Sequence, residues 1–242
     1  MVRKKSAVDK KRGKLFGKLS RAIMVAARNG GGDPAMNLPL RYAIDKARQA
    51  SMPKDSIEKA VKKGTGELEG ENLEEILYEG YGPGGVAIMV NTLTDKRTRT
   101  VDELRNIFKK NGGEMGKSGC VAYLFNFTGF FSIPTESVDE EELMEVVLEA
   151  GAGDMKREGE AFEITCDPSA FNDVQAALTA HEIAPEMSET TYLPVTQVDV
   201  DEDNAQQVMR LLELLDDNDD VQSVYSNANF SDELMENLAK NG

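Results

Sequence analysis

Apolar residues between Gly13 and Asn29 fall at Leu15, Phe16, Leu19, Ile23 and Ala26. That spacing of three and four predicts one apolar face of a helix, which Gly30-Gly31-Gly32 should end. A second helix is predicted from Pro39 to Ala50. A third should follow Ser51, with Pro53 near its first turn, Ile57, Ala60 and Val61 turned inward, and Gly64 at its end. Three such helices make a bundle with a thin core, which has to lean on the rest of the chain.

The period changes after the linker "GTGELEGEN". The stretches "EEILYEGYG" and "VAIMVNTLT" predict two strands joined by the turn Gly82-Pro83-Gly84-Gly85. A helix from about Thr100 to Lys110 follows, then Gly112-Gly113, then a predicted strand "CVAYLF". From Gly129 to Tyr192 the order is strand, helix (Asp139 to Ala150), strand near Met155, strand "AFEITCD", helix (Ser169 to His181) and strand "EMSETTYL". This is a complete ferredoxin-like βαββαβ unit. The remainder is "PVTQVDV", a helix from Glu202 to Leu215 and "VQSVYSNA". Alone it would leave a sheet face bare, so it is expected to return to the strands of residues 74–125. The predicted fold class is therefore α+β. An N-terminal three-helix bundle (1–70) precedes two α+β domains, the last (129–193) inserted into the middle one (71–128 plus 194–242).

Charge divides the chain unevenly. The formal net charge is -15, yet Met1 to Thr65 hold 17 basic and 5 acidic residues, a balance of +12. The remainder holds 11 basic and 38 acidic residues, a balance of -27. On a helix at about 100° per residue, Lys10, Lys14, Lys18, Arg21 and Arg28 lie within roughly 80° of arc, opposite the apolar residues. Val25 intrudes on the basic side, and Arg12 on the apolar side, where it is expected to precede the helix proper. A one-sided basic stripe suits nucleic-acid phosphates, whose condensed counterions it releases. Only Asp9 lies near enough in sequence to pair with it. The candidate nucleic-acid-binding residues are Arg3, Lys4, Lys5, Lys10, Lys11, Arg12, Lys14, Lys18, Arg21 and Arg28. Arg97 and Arg99 are secondary candidates, for which capping and ion pairs with Asp95, Asp102 and Glu103 are at least as good an account.

Other chemistry finds little support. "GGEMGKSG" ends like a phosphate loop, but Asn111 stands where that motif needs its first glycine. Counted from Asp199 as a calcium loop, "DVDEDNAQQVMR" puts Asn204 at the glycine position and Arg210 at the bidentate glutamate position. Those acids, with Asp216, Asp217, Asp219 and Asp220, are expected on a solvated face. A single histidine, His181, expected to point to water, and two dispersed cysteines assemble no nucleophile–base pair or zinc cluster. No cofactor, metal or catalytic residue is expected. The cysteines, Cys120 and Cys166, predict no disulfide framework and a reducing cytoplasm, with an organelle interior such as the mitochondrial matrix as the alternative. No run approaches a membrane span and no signal-peptide core is evident.

The stretches "DKKRGKLFGKLSRAI", "GGGDPAMN", "LRYAIDKARQASMP", "YEGYGPGGVAIMV", "RTRTVDELRNIF" and "GGEMGKSGCVAYLF", with the acidic "LLELLDDNDDVQSVYSNANF", together resemble the YebC/PmpR family. The resemblance implies three domains and a non-enzymatic role in gene expression. It implies either a DNA-binding transcriptional regulator, as bacterial members are labelled, or a translation factor. A mitochondrial relative activates translation of cytochrome c oxidase subunit I, and some bacterial members act on ribosomes stalled at proline-rich stretches. Family members carry a "GHSKW" segment ahead of the basic helix, whereas this sequence opens Met1-Val2-Arg3. Either the start lies upstream or that arm is absent.

The two functions make different demands. A transcriptional regulator should grip duplex DNA through the stripe, yet no polar reading helix with side chains spaced for base edges stands out. A ribosome-associated factor needs backbone and shape contacts to ribosomal RNA, which a basic bundle supplies. A small-molecule sensor would rest on the ferredoxin-like fold alone.

Overall fold

The computed structural model describes the backbone of residues 2–231 and 234–236, and side chains from Lys11 onward. Contacts divide the chain into two compact units, one running up to Ala122 and resuming at Gln197, the other Tyr123–Thr196.

The first unit begins with α1 (Val2–Gly30), α2 (Leu38–Gln49) and α3 (Lys54–Gly64). The first helix is longer than predicted, because it continues through Gly13. Leu19, Ile23, Met24 and Ala27 of α1 pack with Leu40, Ile44, Ala47, Met52, Ile57, Ala60 and Leu73. Leu15 stays largely exposed, and the buried side of α1 is centred a few residues later than the pattern suggests. A Cβ on Gly64 would meet the Met24 carbonyl at 2.5 Å, so only glycine allows α3 this close to α1. Buried Asn37 joins two helix ends. Its Nδ2 donates to the carbonyls of Ala26 and Gly31 (2.8 and 2.7 Å), and its Oδ1 accepts from the Leu40 N–H (3.2 Å) as N-cap of α2.

Next come β1 (Glu74–Tyr81), β2 (Ala87–Thr94), α4 (Arg97–Lys110) and the short β3 (Glu114–Met115). Gly84 and Gly85 take positive φ in the turn between β1 and β2. The predicted strand "CVAYLF" is not formed there. Residues 116–121 wrap as a loop, Ala122–Leu124 make one 3₁₀ turn, and a long strand, β4 (Phe125–Pro134), starts in the second unit. The physical reason is Glu79, whose buried carboxylate draws in the backbone N–H groups of that loop.

The second unit is β4, α5 (Glu140–Glu149), β5 (Ala152–Glu158), β6 (Ala161–Cys166), α6 (Phe171–Ala180) and β7 (Met187–Pro194). Its antiparallel sheet has the order β5-β6-β4-β7, the ferredoxin-like arrangement. Phe131 and Ile133 of β4 and Phe162, Ile164 and Cys166 of β6 face Leu143 and Val147 of α5 and Val174 and Leu178 of α6. Phe131 stacks on Phe171 at 4.7 Å. Here β4 begins at Phe125, four residues before the expected strand.

The chain returns to the first unit with β8 (Val198–Asp199), α7 (Glu202–Asp216), β9 (Val221–Ser226) and β10 (Ala228–Asn229). As predicted, β9 pairs antiparallel with β2, giving the order β3-β1-β2-β9. The "PVTQVDV" stretch does not join that sheet; β8 pairs only with β10. Leu104 and Phe108 of α4 and Val208, Leu211 and Leu215 of α7 cover one sheet face over Tyr78, Ile88 and Val90. By contact the bundle belongs with this sheet rather than apart from it. No helix of the described residues is long and apolar enough to cross a membrane.

Candidate nucleic-acid interface

The helix α1 carries the basic stripe, and the first unit brings an acidic segment against it. Helix α7 ends at Asp216 with Asp217 as its C-cap, and Asn218, Asp219 and Asp220 lead into β9. Carboxylates at a helix C-terminus face the negative end of the macrodipole, an unfavourable place that cations can offset. The last turn of α7 has no basic residue of its own. The stripe of α1 supplies the cations.

Lys14 Nζ donates to the Asp217 carboxylate at 2.7 Å and to its carbonyl at 2.9 Å. Lys18 Nζ donates to the Asp216 carbonyl and lies 3.1 Å from its carboxylate. One turn further on, Arg21 donates to the Asp219 carbonyl and sits 3.6 Å from the Asp220 carboxylate. Lysines 14 and 18 therefore close the open carbonyls of α7 from outside. The expected solvated face is corrected in this respect. Asp216, Asp217 and Asp220 are paired, through contacts some 200 residues apart in sequence that helical spacing could not reveal.

The pairs are not alike. Asp217 and Asp216 keep 58% and 67% of their side-chain surface in water, whereas Asp220 keeps 4%. Exposed pairs contribute about 0.2–1 kcal/mol each and weaken in salt. Asp220 is instead the centre of a buried network. It accepts from the hydroxyls of Thr100 (2.7 Å) and Thr94 (3.3 Å) and from Arg99 (2.8 Å), while its own N–H donates to Asn218 Oδ1 (2.9 Å). Arg99 also holds Asp95 at 2.8 Å. Hydrogen bonds to Asp220 and then to Asp95 hold the Arg99 guanidinium above its ordinary pKa, and Arg99 holds the Asp95 carboxyl below its own. Burial raises the Tyr78 hydroxyl, with Arg97 beside it acting in the opposite direction.

The remaining candidates divide as follows. Arg3, Lys4, Lys5 and Lys10 ride on α1, but their side chains lie outside the described residues. Lys11 is exposed on the rim of a groove of about 240 Å³, with Leu15 on its wall and Glu213 opposite on α7. Arg12 is within the helix rather than before it. Its guanidinium lies over the Phe16 ring at 5.2 Å and reaches the Ser51 carbonyl at 3.4 Å. Arg28 donates to Asn72 Oδ1 (3.0 Å) and to the Leu73 carbonyl, tying α1 to the linker. Val25 is half-buried against the bundle core. Among the described residues the stripe is thus tethered at Lys14, Lys18, Arg21 and Arg28, while Lys11 beside it is exposed.

Two features escaped the sequence pattern. Glu79 accepts from the N–H groups of Gly119 (2.6 Å), Val121 (2.8 Å) and Ala122 (2.8 Å), and nothing in "YEGYG" marks its carboxylate as buried. Asp220 was hidden among five residues of similar type, although acids at a helix C-terminus signal a need for cations. Cys120 and Cys166 are free, and burial pushes both thiols up, Glu79 adding to the effect at Cys120. His181 is exposed as the C-cap of α6. Among the described residues no group of three or more His, Cys, Asp or Glu is placed to hold a metal ion.

A basic helical bundle, the acidic sheet that neutralises it in part, and a ferredoxin-like unit inserted in the sequence of that sheet define an α+β protein. Its sequence matches the TACO1/YebC N-terminal domain over residues 1–67 and the TACO1/YebC second and third domain over residues 73–228. The chain belongs to the TACO1/YebC family. A protein of Rhodopirellula baltica named a probable transcriptional regulatory protein is 52% identical over 233 residues, covering 96% of this chain and 94% of that one. Another of that name from Geobacter sulfurreducens is 52% identical over 235 residues, 97% and 95% of the two chains. The crystal structure of a conserved hypothetical protein from Aquifex aeolicus superposes with a TM-score of 0.82 at 46% identity, covering 93% of each chain.

Proposed function

We propose that the chain is a non-enzymatic regulator of gene expression that binds nucleic acid through its N-terminal bundle, as a DNA-binding transcriptional regulator. The observation that carries this reading is the concentration of cation on one small bundle, +12 over residues 1–65 in a chain of net charge -15. A polyanion is drawn to that end and repelled by the rest, so the charge distribution orients the encounter. The names of the R. baltica and G. sulfurreducens relatives support a transcriptional role.

A second reading, a ribosome-associated translation factor contacting ribosomal RNA, is favoured by one specific observation. The most basic helix packs its middle against other parts of its own unit and leaves Lys11 exposed, which suits backbone contact better than the reading of base edges. Ultraviolet crosslinking in cells, with sequencing of the DNA and the RNA recovered, tests both. Promoter DNA is the expected recovery for the first reading. Ribosomal RNA at a few defined positions would replace it with the second, and recovery of neither would overturn both.

A further inference from the structure

Resting on the reading that the bundle binds nucleic acid, we infer that Asp216 and Asp217 are an internal competitor for the phosphodiester backbone, covering Lys14 and Lys18 until nucleic acid displaces them. The two lysines stand on consecutive turns of one helix face and each meets a carboxylate oxygen together with a backbone carbonyl. A row of anionic oxygens along a basic helix is the arrangement that a phosphate backbone would present to it. The acidic segment occupies the stripe with the same chemistry.

Two observations make the outer pairs displaceable and the inner one fixed. Asp216 and Asp217 are mostly in water, while Lys14 and Lys18 keep 27% and 14% of their side-chain surface exposed. The carboxylates can therefore leave without unpairing a buried anion, and an incoming phosphate takes their place on the lysines. Asp220 is 4% exposed and held by Thr100, Thr94 and Arg99, so it cannot leave Arg21 without unpairing that network. The backbone of the segment is therefore held at both ends, by buried Leu215 of α7 and by Asp220, and it is the exposed carboxylates of Asp216 and Asp217 that can turn away. Nucleic acid that lands on exposed Lys11 can extend along α1 to Lys14 and Lys18, and stops at Arg21. The competition also sets a threshold. Short or weakly charged ligands do not repay the loss of the internal pairs, while a continuous backbone does.

A purely structural account makes the lysines a cap for the α7 C-terminus, and binding measurements separate the two. Full-length protein is titrated against a short DNA duplex and an RNA hairpin of matched length, at one fixed salt concentration, by fluorescence anisotropy. The comparison is between the native chain, Asp216→Asn with Asp217→Asn, and a charge-matched control, Glu69→Gln with Glu71→Gln, in the exposed linker. The competitor predicts about tenfold tighter binding for the aspartate pair, from two exposed ion pairs no longer opposing it. The control should change affinity by less than about twofold through net charge alone. Adding Lys14→Gln and Lys18→Gln should remove the gain. Asp217→Asn alone, a milder change, should gain about threefold and serves if the double variant does not fold. Which probe binds more tightly distinguishes DNA from RNA as the source of the backbone. Affinity equal to the native chain, or a gain matched by the linker control, overturns the inference and leaves nucleic-acid binding intact. No binding of either probe by any variant overturns both.

Discussion

The two ends of the segment Asp216–Asp220 carry the same side chain and face the same helix, yet they do different physical work. At one end the carboxylates of Asp216 and Asp217 stand largely in water against the more covered Lys14 and Lys18, and each pair is screened from the carboxylate side and contributes little. At the other, Asp220 is enclosed and meets two hydroxyls and two guanidinium groups, so its charge is answered on several sides. Chain position does not separate them; burial does. A carboxylate in water is an exchangeable partner, whereas a buried one fixes whatever surrounds it, because leaving any of its partners unpaired is costly. Within one turn of chain the protein thus has both a fixed joint between its bundle and its sheet, and a contact that a competing anion can enter.

The largest effect is expected from Asp220→Ala, which removes the buried anion that Arg99 and Arg21 share, leaves Arg99 only the exposed Asp95, and should cost about 3–5 kcal/mol in urea unfolding. A cost below about 1 kcal/mol would erase the contrast between the two ends. The buried carboxylate of Glu79 extends the comparison to a site with no cationic partner among the described residues. It accepts from three backbone N–H groups, and Glu79→Gln sets an amide donor against at least one of them. The expected loss is about 2–4 kcal/mol. Hydrogen exchange should quicken at Gly119, Val121 and Ala122 while the second unit keeps its protection, and unchanged exchange at those amides would deny Glu79 its hold on the loop.

The same contrast between near and distant partners decides how much of the molecule the sequence discloses. The ferredoxin-like unit is contiguous, β6 and the second half of β4 alternate cleanly and Asp139 caps α5 through the N–H groups of Glu141 and Glu142, so its element order is readable directly. The pairing of β9 with β2 is also foreseeable, since an uncovered sheet face needs a partner. What fails are the places where one distant polar group overrides local preference. "CVAYLF" has the composition of a strand and becomes a loop and a 3₁₀ turn because Glu79 takes its amides. The basic stripe was visible as charge, but its occupancy by Asp216 and Asp217 was not, because an ion pair between residues 14 and 217 leaves no periodic trace. Gly13 suggested a helix start, yet α1 runs through it from Val2 to Gly30.

A smaller effect sharpens the exposed side. Asp216→Asn with Asp217→Asn removes two weak pairs and, at the same time, two charges from the wrong end of the α7 dipole. These changes oppose each other, so stability should shift by less than about 1 kcal/mol in either direction. A loss above about 2 kcal/mol would make the outer pairs as structural as the inner one.

The smallest effect belongs to Asp95, an exposed acid joined to the buried network through Arg99 at 2.8 Å. The hydrogen bond from Arg99 lowers its pKa below the ordinary 3.8, and the carboxylate is thus favoured more in the folded chain than in the unfolded one. Its contribution is complete above the unfolded value and disappears as the pH falls through the folded one. Asp95→Asn should therefore cost about 0.5 kcal/mol at neutral pH and less in high salt, since half of the Arg99–Asp95 pair is open to water. Measured as the difference in unfolding free energy between native and variant chains, this cost should be constant from neutrality to about pH 5 and vanish well below pH 3.8. A cost that persists in acid would mean that Asp95 acts through packing rather than charge. A cost as large as that of Asp220→Ala would show that the outer carboxylate on Arg99 is no more exchangeable than the buried one.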